Sequence, residues 1–344
     1  MAAAGLVGLA ACEGPGALDR TAEGALEITV KSGAVTKASS DVTPGGKEEA
    51  LDNVQFFLFS EDGALYRRGE LDKGTTTQSL DKVKVGSYDV LAVANAAALE
   101  NVDSRGALER TATHLADNDP SKGFVMAGAT ASPVSVTASS TAAARADVTL
   151  KRFVSRVRIT TVENRIPPAY GNLQVEDVFL INGCADWNLG GSGSPTTYVN
   201  YAGRKDGMNN QATASSIIAS AGDAQCPSLT YATVNKAVAN GATETLALPF
   251  YTLPNPLAAA EDHFDGPTNS AVCARLVVKA TFGGKSSYYP VTIEKMQRNY
   301  TYDVRFIIKG PGSDDPNKKV ESGNFDVVVT VEPWQPGEEL VGNF

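Results

Sequence analysis

Apolar and polar residues alternate without a break in Leu26-Glu27-Ile28-Thr29-Val30-Lys31, the pattern of a strand with one buried face. A small, polar, Gly-rich stretch follows over residues 32–50. Leu51 to Phe59 then predicts a second strand, closed by the turn Asp62-Gly63. Further strands are predicted at Tyr66 to Leu71, Thr76 to Leu80, Tyr88 to Ala94, Pro133 to Ser139 and Arg145 to Leu150. Between them, Ala96 to Ala116 carries Leu99, Val102 and Leu108 on a rough helical period and predicts the one helix of this half. Short strands at this spacing, separated by turn residues, predict a sandwich or barrel.

Lys151 to Thr160 alternates basic and apolar residues, which puts Arg152, Arg156 and Arg158 on a solvated strand face and Phe153, Val157 and Ile159 in the core. Pro167-Pro168 and Gly171 interrupt the pattern, so the boundary between two strand-rich halves is expected near residue 160. The second half predicts strands at Val175 to Ile181, Thr243 to Tyr251, Ala274 to Phe282, Ser287 to Ile293, Tyr300 to Lys309 and Phe325 to Val331, with a Gly/Ser/Asn-rich excursion over 188–224. The expected fold class is mostly β, with two β-sandwich domains in tandem over 24–160 and 161–344, the first preceded by a polar linker over 13–23.

Both ends of the chain are apolar where polar ends are usual. The start, MAAAGLVGLAACEG, is a run of small apolar residues ending in Leu9-Ala10-Ala11-Cys12, which resembles a bacterial lipobox. On that reading residues 1–12 are a signal peptide and Cys12 receives the lipid. No Lys or Arg precedes the run, which points to a start further upstream. No stretch approaches the roughly 20 apolar residues of a membrane-spanning helix, so the expectation is export with acyl anchoring. At the other end Leu340, Val341 and Phe344 follow Pro333-Trp334, and such a tail pairs either within its own domain or with another molecule.

Composition narrows the function. With 344 residues the chain is long enough for two cores, and an apolar fraction of 42% is that of a globular protein. Lys and Arg number 30 against 39 Asp and Glu, a net charge of −9 that repels phosphate backbones, so nucleic acid is not an expected partner. Beyond Cys12, the cysteines Cys184, Cys226 and Cys273 allow at most one intramolecular disulfide among three pairings, and buried free thiols fit equally well.

Candidate chemistry is sparse. His114 and His263 lack any accompanying nucleophile elbow or cysteine-protease signature, so neither assembles a hydrolase triad. Glu261-Asp262-His263-Phe264-Asp265-Gly266 has metal-ligand side chains but neither calcium-loop nor zinc-enzyme spacing, and a solvated loop explains it. Gly310-Pro311-Gly312-Ser313-Asp314-Asp315-Pro316 lies between two strand patterns and reads as a hairpin loop. No catalytic set, cofactor site or metal site is expected. An alternative function is glycan binding by a surface lipoprotein, with Trp187, Tyr198 and Tyr201 as an aromatic platform.

Several local patterns occur together and in order: Gly86-Ser87-Tyr88-Asp89-Val90-Leu91-Ala92-Val93-Ala94-Asn95, Phe124-Val125-Met126-Ala127-Gly128, Leu150-Lys151-Arg152-Phe153-Val154-Ser155-Arg156-Val157, and Arg298-Asn299-Tyr300-Thr301-Tyr302-Asp303-Val304 followed by Gly310-Pro311-Gly312. With the lipobox before them and Val331-Glu332-Pro333-Trp334 after them, the chain resembles the fimbrillin family, the subunits of Bacteroidales type V pili.

The resemblance implies two transthyretin-like domains, export as an outer-membrane lipoprotein, and cleavage by a trypsin-like protease in the loop after the first strand. Loss of that strand opens a groove that the C-terminal strand of a neighbouring subunit fills, and repetition makes a surface fimbria that supports adhesion. The partners implied are further copies of the chain, related pilus subunits, the protease and, before cleavage, the membrane. Carried onto this sequence, the removable strand is Leu26 to Lys31, with Leu26, Ile28 and Val30 facing the groove. The cut falls between Lys37 and Ala38, Lys37 being the only basic residue in the loop before Lys47. The family's better-known pattern has Arg at the cut, so a strictly Arg-specific enzyme does not fit. The donor segment is about 325–344, with Trp334, Leu340, Val341 and Phe344 as its apolar residues and Trp334 as an anchor at its base. The tail from Trp334 to Phe344 is expected to be dispensable for folding of the monomer.

Overall fold

The computed structural model describes residues 22–32, 48–138, 142–202, 218, 221–261, 271–321 and 323–334. Cys12, Lys37, Ala38, His263, Leu340, Val341 and Phe344 lie outside the described residues. Among the described residues no helix is long and apolar enough to cross a membrane.

The N-terminal half contributes β1 (Glu23–Ser32), β2 (Val54–Ser60), β3 (Leu65–Glu70), β4 (Thr77–Lys84), β5 (Gly86–Ala94), β6 (Ala112–His114), β7 (Met126–Ala129), β8 (Val134–Val136) and β9 (Ala144–Arg152). Its main sheet runs β3-β2-β5-β7-β9-β1-β4, with β8 also on β5. Leu26, Ile28 and Val30 of β1 share one core with Val54, Phe56 and Leu58 of β2 and with Tyr88, Val90 and Ala92 of β5. Strands distant along the sheet therefore meet across the same core, and the sheet folds over itself to supply both layers of a sandwich. The closest backbone approach explains Gly128 in β7: a Cβ there would stand 2.1 Å from the Thr149 carbonyl oxygen of β9.

The C-terminal half contributes β10 (Ser155–Asn164), β11 (Leu173–Ile181), β12 (Gly183–Cys184), β13 (Asp186–Asn188), β14 (Tyr198–Val199), β15 (Tyr231–Val238), β16 (Thr243–Thr252), β17 (Ala274–Phe282), β18 (Lys285–Ile293), β19 (Tyr300–Ile308) and β20 (Phe325–Pro333). Two four-stranded sheets, β16-β10-β19-β20 and β15-β11-β17-β18, enclose a core that includes Val157, Ile159, Val178, Leu180, Leu276, Val304 and Phe306. Each half thus packs two β layers on one apolar core, as the alternation predicts.

Several expectations need correction. The segment 96–116 is not one helix: only Arg105–Arg110 is α-helical (α1), and His114 ends β6, opposite Asp186 of β13. Leu108 is buried, but Asn101 lies in a turn and Val102 and Asp103 in irregular chain, and Ser104 caps α1 by accepting from the Ala107 amide at 3.3 Å. The crossover between the halves is Phe153-Val154, since β9 ends at Arg152 in the first sheet and β10 begins at Ser155 in the second. The expected position near residue 160 falls inside β10. Arg152 is not on a solvated face: it is 1% exposed, because the strand pattern there passes through the junction between the two halves.

That junction has a core of its own. Phe57 and Phe59, the β2 residues facing away from the first core, meet Phe124, Phe153, Trp187, Tyr251, Leu253 and Trp334. The short pairing of β6 with β13, Thr113 opposite Trp187, adds backbone contact between the halves.

Candidate assembly site

The first strand occupies an inner place in its sheet. β1 pairs antiparallel with β4 and parallel with β9, the parallel register running from Leu26 opposite Ala144 to Ser32 opposite Leu150. Leu26, Ile28 and Val30 are each 0% exposed, whereas Glu27 and Thr29 on the other face are partly exposed. Burying three such side chains contributes on the order of 5–9 kcal/mol at about 1.5–3 kcal/mol each. Without β1, the facing edges of β4 and β9 would carry unpaired N–H and C=O groups above an apolar trough, a template for another strand. Alternation in the sequence places this strand, with Leu26, Ile28 and Val30 on its buried face.

The last strand is held in the opposite manner. Among the described residues β20 lies at the edge of its sheet and pairs only with β19, from Tyr300 opposite Pro333 to Ile308 opposite Phe325. Val327, Val328, Val329 and Val331 are exposed at 39%, 51%, 38% and 49%, an unusual run of apolar surface for an edge strand. Beyond that ladder, its packed side-chain contacts lie at the ends. Phe325 stacks near Tyr289 and Phe306, with ring centroids 5.7 and 5.4 Å away. Trp334 is 3% exposed at the junction, so it does not belong to a dispensable tail.

A polar cluster surrounds Trp334. Both the Arg152 and Arg156 guanidinium carbons lie over its indole, 4.5 and 4.4 Å from the ring centroid. Arg156 Nη1 donates to Glu48 Oε2 at 3.1 Å, Arg152 Nε donates to the Glu48 carbonyl at 2.9 Å, and the Tyr251 hydroxyl donates to Glu48 Oε1. Burial pulls the pKa of Arg152 below its ordinary value, while the carboxylates of Glu48 and Glu49 act the other way. Sequence reading missed this cluster because Glu48 sits in a polar loop pattern and the arginines in an alternating strand.

The remaining candidates find structural places. Trp187 is 8% exposed within the junction core, which removes the tryptophan from the aromatic platform envisaged for a glycan. Tyr198 and Tyr201 do lie together, with ring centroids 5.6 Å apart. Cys184, Cys226 and Cys273 are not disulfide-bonded, and burial pushes the Cys184 thiol well up. Gly310 to Pro316 lies in the connection from β19 to β20, pinned by paired backbone bonds between Ser313 and Tyr288, both at 2.8 Å. Among the described residues no group of His, Cys, Asp and Glu side chains could hold a metal ion.

A tandem of β-sandwiches with a buried inner first strand and an exposed last strand is, by the family match over most of this chain, that of a protein of the fimbrial subunit class. The chain belongs to the family of fimbrillin-A associated anchor proteins Mfa1 and Mfa2, whose family model matches residues 18–338. Its fold is shared with a cell adhesion protein from Bacteroides eggerthii at 17% identity and a TM-score of 0.64, over 93% of this chain and 99% of that one. It is shared also with a fimbrilin (FimA) from Porphyromonas gingivalis W83 at 15% identity and a TM-score of 0.62, over 91% and 98%. The tip fimbrial protein Mfa3 from Porphyromonas gingivalis aligns at 12% identity and a TM-score of 0.52, over 91% and 100%. Comparison with curated proteins gives no sequence match. The chain is a subunit of a fimbria, a cell-surface appendage built with other fimbrial subunits.

Proposed function

We propose that this chain is a polymerising, stalk-type fimbrial subunit, activated by removal of its first strand. It is exported as a lipoprotein acylated at Cys12 and carried to the outer membrane. A trypsin-like protease cuts between Lys37 and Ala38, β1 departs with the lipid, and the C-terminal segment of a neighbour, within about 325–344, enters the vacated trough. Repetition extends a fibre that supports adhesion. An anchor subunit would keep its lipid, so the stalk role stands or falls with cleavage after Lys37.

The observation that carries this reading is the position of β1: fully buried on its apolar face, paired on both edges, and joined to the rest of the chain only through the stretch from Ser32 to Glu48. Once that connection is cut, retention of β1 becomes an intermolecular equilibrium, and a linked or abundant competitor displaces it. The exposed valines of β20 support the second half of the reading, because they leave apolar strand surface for another molecule to cover.

Limiting trypsin should nick after Lys37 first, and the cleaved protein should run as oligomers on size exclusion while the uncut protein runs as a monomer. Lys37→Gln should leave the circular dichroism spectrum unchanged and abolish oligomer formation. Oligomerisation of Lys37→Gln at the wild-type rate, or a first cut elsewhere, would refute the mechanism.

A further inference from the structure

The junction cluster links two places that the proposed assembly keeps apart. Glu48 directly follows residues 33–47, the connection that leaves β1, and Trp334 directly follows β20. We propose that Glu48, Arg152, Arg156 and Trp334 form a clasp that pins the end of β20 in the unprocessed chain and loosens when the connection into Glu48 is cut. The second half of this statement rests on the processing reading above; the first half does not.

Glu48 reaches Trp334 by two routes. Through the side chains, its carboxylate holds Arg156 and its carbonyl holds Arg152, and both guanidinium groups lie over the indole. Through the backbone, Arg152 Nη1 donates to Asn299 Oδ1 at 3.3 Å, and the Trp334 amide donates to the Asn299 carbonyl at 2.8 Å. The Tyr251 ring lies 6.0 Å from the indole, nearly parallel at 25°, while its hydroxyl meets Glu48. The same residue that orders the arginines therefore orders the aromatic neighbour of Trp334.

Charge explains why Glu48 matters more than its size. Two guanidinium groups share one ring, and like charges this close repel unless a carboxylate lies with them. Glu48 is 3% exposed and supplies that charge from within the cluster. The other nearby carboxylate, Glu49, stands 3.9 Å from Arg152 and its side chain is 44% exposed, so water screens it. Without the Glu48 charge the cations separate, and Trp334 loses partners on which the end of β20 depends.

The tether explains the link to processing. In the intact chain Glu48 is joined downstream to the first domain and upstream, through residues 33–47, to β1, which is paired on both its edges. Cleavage and loss of β1 free the upstream side, and local opening at Glu48 becomes easier. β20 is otherwise held by its ladder to β19 and by Phe325 at its start, so opening at Trp334 frays the strand from its C-terminal end.

Hydrogen exchange read by mass spectrometry on peptides covering Phe325 to Trp334, in dilute uncut protein, tests the clasp. Glu48→Gln should accelerate exchange there by at least about tenfold and leave peptides from β1 and β17 unchanged. Wild-type protein cut after Lys37 should show the same acceleration. Should Glu48→Gln fail to fold, Arg156→Gln and the cut wild-type protein make the same comparison. Exchange within about twofold of wild type in Glu48→Gln or, where that variant does not fold, in Arg156→Gln overturns the clasp; no change on cutting overturns its link to processing. Size exclusion of the same cut sample reads assembly separately. Loosening without oligomers keeps the clasp and its link to cutting and sinks the stalk reading, whereas oligomers without loosening keep the stalk reading and sink that link.

Discussion

Ile28 faces Ala146 across a parallel strand pair and Gln78 across an antiparallel one, with its side chain fully buried in the first domain's core. A strand so placed is part of the monomer's stability, and the assembly reading requires that it also be replaceable. Both follow from the same contact set. Pockets that accept Leu26, Ile28 and Val30 accept other apolar side chains of similar volume, provided these arrive with period two.

Ile28→Ala should destabilise the uncut protein by about 2–5 kcal/mol, the usual cost of truncating a buried Ile. Thr29→Ala, one residue on and on the other face, should stay within about 0.5 kcal/mol. Urea unfolding of both variants checks the contrast. Equal effects would mean that the alternation seen in β1 does not govern its packing.

Trp334 sets the point at which the chain can be shortened. A protein stopped after Trp334 should melt like the full chain. One stopped at Glu332 should lose the buried indole with its Arg152 and Arg156 contacts, a loss of about 3–5 kcal/mol by analogy with core Trp truncation. Thermal melts of the two truncations decide it. Equal midpoints would restore the simpler expectation that everything from Trp334 onward serves only another molecule.

Arg158 and Asp303 join the parallel strands β10 and β19 through a two-pronged pair, Nε to Oδ1 at 2.8 Å and Nη2 to Oδ2 at 2.6 Å. The side chains are 14% and 17% exposed, so the pair is largely shielded from water. Arg158→Lys keeps the charge and loses the fork, and should cost roughly 1–2 kcal/mol in urea unfolding. A change below about 0.3 kcal/mol would show that charge alone suffices.

The strands that face one core were legible, because a half-buried strand writes its environment as a period of two. β1, β5, β9, β11 and β16 to β20 fall close to where the alternation places them. β15 was not legible: Tyr231 to Val238 is mostly exposed, and its place at a sheet edge demands little of its side chains. The false helix over 96–116 has a different cause. Leu99, Val102 and Leu108 point into the junction core one at a time from turns and a single short helix, and their spacing mimics a helical period by chance of packing. Arg152, Glu48 and Trp334 share a third cause. Their burial arises where two domains meet, and no local pattern encodes a neighbour that lies in the other half of the chain.

Glu163, at the end of β10, gives the last prediction, and it concerns pH. Its carboxylate accepts from Arg305 Nη2 at 2.6 Å and from Arg165 Nε at 2.5 Å, and these bonds hold its pKa below the ordinary value of 4.5. A carboxylate whose pKa is lower in the folded state than in the unfolded one contributes stability that is fully present above the unfolded value. That stability is lost as pH falls through the folded value. Glu163→Gln should therefore lower the urea midpoint at pH 7, and the gap to wild type should begin to close below about pH 4.5 and go on closing as the acid is protonated. Arg305 and Arg165 are 42% and 53% exposed, so salt should narrow the gap at neutral pH as well. A gap that widens toward acid would mean that Glu163 is held by something other than these two arginines.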